Sequence, residues 1–162
     1  MATWAEFELE VPELAEAGRK LLYQFDIGLA FLATVRPNGG PRLHPVCVIV
    51  GAGGMFVALV PSPKQRDLER DQRFALHSYP PEAVDDEFVV TGRALRVDDP
   101  VRRAKVQANY RNPIAEHDTV FELDLETALL ARYRHRGDWP PSYTRWRAGR
   151  GVDHPASGSA VP

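Results

Sequence analysis

At 162 residues the chain has the length of one globular domain and enough residues to bury a core. Its 44% hydrophobic and 26% charged residues exclude a largely disordered chain, and a net charge of −2 gives nucleic acid no concentrated basic surface to bind. No apolar run approaches the ~20 residues of a membrane helix, and the N-terminus lacks a basic start and an apolar leader core, so a cytoplasmic protein with neither nucleic-acid nor membrane partners is expected.

Pro12 to Phe25 places Leu14, Ala17, Leu21, Leu22 and Phe25 at helical spacing, with Glu13, Glu16, Arg19 and Lys20 opposite. Gly28 to Arg36 reads as a strand, Pro37-Asn38-Gly39-Gly40 as a tight turn, and Leu43 to Val50 as the partner strand. Cys47, the single cysteine, lies in that apolar strand and reads as a buried structural thiol. Gly51-Ala52-Gly53-Gly54 turns the chain into Met55 to Val60. These three strands form an antiparallel meander whose near-continuous apolar character predicts that both faces are covered, as in a small barrel or at a subunit interface.

Ser62-Pro63-Lys64-Gln65 is a helix start, with serine as N-cap, proline at the first helical position and glutamine completing a capping box. That helix is predicted to about Asp71, followed by a strand over Arg73 to Tyr79, an acidic loop at Asp85-Asp86 and a long strand over Glu87 to Val97 with a bulge at Gly92. Asp98-Asp99-Pro100 starts another helix, running to about Arg111. The alternation from Thr119 marks a half-wet strand, extended or followed by another through Tyr133. The arginines between Arg132 and Arg150 read as a solvated basic edge, and Gly149 to Pro162 as a disordered tail after a domain spanning 1–148. Unpaired amides and a partial positive charge collect at a helix N-terminus, so the step from Val60 to the helix after Ser62 is the candidate anion site, with Lys64 adding a full charge.

Several segments carry a resemblance: Ala33-Thr34-Val35-Arg36 leading into Pro37 to Arg42, Gly54-Met55-Phe56-Val57, Ser62-Pro63-Lys64 with Asp67-Leu68, Val89 to Ala94, and Phe121-Glu122-Leu123-Asp124. In this order the chain resembles the pyridoxamine 5'-phosphate oxidase-like family over Leu14 to Trp146. The resemblance implies a mainly β fold, a six-stranded antiparallel split β-barrel of the FMN-binding type with three helices. It also implies a homodimer that holds FMN at its interface and acts on a small-molecule redox substrate. It places Ser62 and Lys64 at the flavin phosphate and Arg42, His44 and Val46 along the ring and ribityl chain. Leu59 and Val60 contribute mainly backbone, and Trp146 packs beside the flavin from across the interface or anchors the C-terminal segment.

Two departures matter. Glu87 stands where the vitamin B6 oxidases carry a flavin-binding glutamine, and their C-terminal Arg-Leu-Ala-Pro-like signature is missing, so a B6 oxidase is not the reading. A flavin carries its own redox chemistry and asks for no catalytic triad. The five histidines show no close metal-ligand spacing. Beside an FMN oxidoreductase stand an F-420-dependent split-barrel reductase, with Arg66, Arg70 and Arg73 lining a channel for its anionic tail, and a non-catalytic binder of flavin or haem.

Overall fold

The computed structural model describes residues 1–154. Its helices are α1 (Trp4–Glu10), α2 (Pro12–Leu22), α3 (Pro63–Arg70) and α4 (Pro100–Ala108). Its strands are β1 (Leu29–Val35), β2 (Pro41–Cys47), β3 (Ile49–Gly51), β4 (Gly54–Leu59), β5 (Arg73–Ser78), β6 (Glu87–Arg96), β7 (Thr119–Arg132), β8 (Ser142–Arg147) and β9 (Gly151–Asp153). The expected mainly β, split-barrel architecture is present. One antiparallel sheet runs β2-β1-β5-β6-β7-β4-β3, with β8 added to β7 and β9 to β8. β2 comes near β4 without pairing to it.

Among the described residues nine strands stand where six are expected, for identifiable reasons. The predicted strand over Leu43 to Val50 divides at Val48, whose N–H donates to Gly28 O at 2.9 Å; β3 then leaves β1 to pair with β4 through the two-residue turn at Ala52 and Gly53, both at positive φ. The long β7 pairs with β6 throughout, with β4 by its first half and with β8 by its second. The expected tail from Gly149 is corrected as well, because Gly151–Asp153 pairs with β8; the part of that expectation covering 155–162 lies outside the described residues. At Gly92 the register of β6 against β7 shifts as expected, and an added Cβ there would sit 1.8 Å from Asp124 O.

Helix α1, additional to the three expected, opens with a capping box. Thr3 N–H donates to the Glu6 carboxylate at 2.7 Å, and Glu6 N–H donates to Thr3 Oγ1 at 3.3 Å. α1 delivers Trp4 and Phe7 to the core, where Phe7 meets Trp146 at 4.8 Å between centroids and Trp4 meets Phe88 at 6.3 Å. α2 covers the adjacent end of the sheet with Leu14, Ala15 and Leu22 buried. The expected pair Glu16–Lys20 forms at 3.3 Å on its wet side.

Candidate functional site

The corner between β4 and α3 is built as the sequence suggested. Ser62 is extended (φ −158°), and its Oγ accepts the Gln65 N–H at 3.4 Å while its carbonyl accepts the Arg66 N–H at 3.1 Å. Only the serine half of the expected capping box forms. Pro63 has no N–H, so Lys64 supplies the first-turn amide that has no acceptor among the described residues. The Ser62 hydroxyl proton and the Lys64 amide and ammonium are therefore the donors available at this turn.

Across from it, β2 is the edge of the sheet, paired among the described residues only with β1. Arg42, His44 and Val46 stand opposite Thr34, Leu32 and Ala30 and share their face. Thr34 Oγ1 and Arg42 Nε both donate to Asp67 Oδ2, at 3.0 and 2.6 Å, and Arg70 Nη1 donates to Asp67 Oδ1 at 3.3 Å. The Asp67 side chain is 3% exposed and that of Arg42 19% exposed. Burial pushes the Asp67 carboxyl up, and the hydrogen bonds from Arg42, Thr34 and Arg70 outweigh it, so the group ends below the ordinary aspartate range. Half-buried His44 is held below the ordinary histidine value, first by desolvation and then by the charges of Lys64, Arg42 and Arg36, with Asp67 opposing. The corner carries a cationic field.

The structure thus brings together Arg42, His44, Ser62 and Lys64. Val46 is buried at 6% and Leu59 at 3%, so each offers backbone rather than side chain, whereas Val60 is exposed. Trp146 stands apart from this corner. It is 1% exposed and packs against Phe7 in the core. Cys47 is half-buried rather than buried. Of the three arginines considered for a channel, Arg70 is held by Asp67 and Val35 O, and Arg73 by two bonds to Asp71 at 2.9 and 2.6 Å.

Asp67 and Thr34 belong to this corner too, although the sequence alone assigns them no role. A signal existed, since the Arg36 to Gly40 turn sets Thr34 opposite Arg42. The reverse of the sheet carries a second surface. There the register aligns Pro45, Phe31, His77, Val89, Leu129 and Arg145 in one row, and Leu43, Ala33, Ala75, Thr91, Thr127 and Arg147 in the next. A basic cleft of about 550 Å³ with Arg145, Arg147 and Arg150 lies at one end of this face. An acidic cleft of about 410 Å³ with Asp85, Glu87 and Asp138 lies near His77.

The family model for pyridoxamine 5'-phosphate oxidase matches residues 18–132, a span that holds the whole corner. The chain belongs to the pyridoxamine 5'-phosphate oxidase-like family. No curated protein matches it. Among solved structures, an FMN-binding, pyridoxamine 5'-phosphate oxidase-related protein from Nostoc punctiforme superimposes with a TM-score of 0.63 at 13% identity, over 90% of this chain and 94% of its own. PhzG from Burkholderia lata, solved in complex with tetrahydrophenazine-1-carboxylic acid, gives 0.64 at 13% identity over 90% and 91%. A protein of unknown function from Agrobacterium tumefaciens gives 0.58 at 22% identity over 71% of this chain and 56% of its own, so this chain spans little more than half of that relative. At such identities these neighbours share the family fold.

Proposed function

We propose that this chain is an FMN-dependent oxidoreductase acting on a small-molecule redox substrate in the cytoplasm as a homodimer, with the flavin phosphate at the Ser62–Lys64 turn and the ring along the free edge of β2. The observation that carries the reading is the grouping of Lys64 and Arg42 near His44, beside the first turn of the helix that Ser62 caps. The donor set fits a phosphate: Lys64 a point charge, Arg42 a fork, Ser62 a hydroxyl and the Lys64 amide a dipole end. When bound, FMN supplies the electron transfer. The chain's own residues bind its phosphate, line its ring and shield it from water, and His44 offers a ring nitrogen to a polar edge of the ligand.

The second copy is supported by the outward sheet face. Its β1, β5 and β6 part offers Phe31, Ala33, Ala75 and Val89, with a basic cleft at the β8 end and an acidic cleft beside His77, and a two-fold contact can set basic groups of one copy against acidic groups of the other. F-420 ranks below FMN because Arg70 and Arg73 are already engaged within the chain.

The test is direct titration of purified protein with FMN and with riboflavin, followed by flavin fluorescence. FMN should bind more tightly than riboflavin, and Lys64→Ala should weaken FMN by about 1.5–3 kcal/mol while leaving riboflavin unchanged. Equal affinity for both flavins in the unaltered protein refutes a phosphate site at this turn. Quenching of F-420 but not FMN moves the reading to the deazaflavin, and a Soret band on added haem moves it to haem binding.

A further inference from the structure

Asp67 is a buried carboxylate on a helix whose partners come from three elements: Thr34 of β1, Arg42 of β2 and Arg70 of α3 itself. Burying a carboxylate is costly unless its oxygens are met by donors, and these three donors serve both of them, two at Oδ2 and one at Oδ1. The two arginines are held differently. Arg70 is spent within the chain, because Nη1 goes to Asp67 and Nη2 to the Val35 carbonyl. Arg42 is held only by Nε, and its two terminal nitrogens have no acceptor among the described residues although the side chain is 19% exposed.

We propose that Asp67 is a positioning residue that grips Arg42 by its inner nitrogen and so presents the outer fork of that guanidinium to a phosphate at the α3 turn. Thr34 stands directly opposite Arg42 in the ladder, so its hydroxyl fixes the carboxylate on the side from which Arg42 arrives. A free arginine loses side-chain entropy when it clamps an anion; one already locked at Nε has lost it beforehand. The same carboxylate also repels a phosphate, which gives the idea a sign that can fail. If orientation dominates, removing the charge weakens phosphate binding. If repulsion dominates, removing it tightens binding.

This inference rests on the phosphate reading above, and the experiment separates the two. The ratio of FMN to riboflavin affinity is measured for the wild-type chain, K64A, D67N, R42A and the D67N/R42A double variant, with circular dichroism confirming the fold of each. The ratio is internal to each variant, so partial unfolding, which lowers both affinities, leaves it in place. The expected result is a fall of roughly tenfold in the ratio for D67N, and no further fall when D67N is added to R42A. Thr34→Val removes one donor to Asp67 and should lower the ratio in the same direction by a smaller factor; it carries the test if D67N does not fold. An unchanged or raised ratio in D67N, or an equal effect of D67N with and without Arg42, overturns the positioning role while K64A still upholds the phosphate site. A wild-type ratio of one overturns both.

Discussion

Replacing Trp146 with alanine separates a core role from a place beside the flavin. The indole is 1% exposed and meets Phe7 at 4.8 Å between centroids. A buried tryptophan removes on the order of 200 Å² from water, which at about 25 cal/mol per Å² is worth ~5 kcal/mol, in line with the about 3–5 kcal/mol of large aromatic-to-alanine changes in cores. Trp146→Phe should behave otherwise. It keeps a ring against Phe7 and removes an indole N–H that is buried without a partner among the described residues, a group whose burial costs about 1–3 kcal/mol. The phenylalanine variant should therefore lie within about 1.5 kcal/mol of wild type, and the alanine variant about 3–5 kcal/mol below it. Urea unfolding followed by far-UV circular dichroism reads both, at one protein concentration because self-association adds to stability. If Trp146→Ala keeps the unfolding midpoint while flavin affinity collapses, the core assignment is wrong.

Three further outcomes follow from the same geometry. Gly92→Ala should lower the thermal midpoint, by an amount equivalent to about 1–3 kcal/mol, because its Cβ would press on the backbone oxygen of Asp124; an unshifted midpoint would mean that the bulge yields freely. The Asp67 carboxyl is more acidic folded than unfolded, so its stabilisation is complete above the unfolded range near pH 4 and drains as pH falls through the lower folded value. Urea stability should thus decline on acidification, and D67N should flatten that decline; parallel profiles would contradict the sign. The His44 ring, held low by desolvation and the neighbouring cations, should titrate at higher pH once FMN is bound, because an anion offsets those charges. Histidine proton shifts followed by NMR across the titration would show no movement if the phosphate docks elsewhere.

What the sequence made legible was local. The Ser62 cap, the Pro37–Gly40 turn, the Asp99 cap and the Gly92 bulge each follow from residues close together in the chain, and each is present. The pieces that escaped depend on distant partners. α1 is short, and its burial depends on Phe88 and Trp146, far along the chain. β3 exists because Gly28 draws the Val48 amide and breaks an apolar run that looks continuous. β8 needs the second half of a strand whose first half pairs elsewhere. In the corner, Lys64 could be read from its position after the cap, whereas the role of Asp67 required knowing that β1, β2 and α3 meet at one carboxylate.

The edge strand β2 has one more consequence. Arg36 N–H bonds to Gly40 O at 2.8 Å and Val48 N–H to Gly28 O at 2.9 Å, so even-numbered residues of the hairpin trade hydrogen bonds with β1 and odd-numbered ones turn their amides outward. Two of those odd positions are Pro41 and Pro45. The rim therefore shows carbonyls at close intervals but amides only at Leu43 and Cys47. A stranger's β-strand finds too few donors there to zip onto, which guards against runaway stacking. A flat heterocycle that needs one or two hydrogen bonds, and not a full ladder, meets no such barrier.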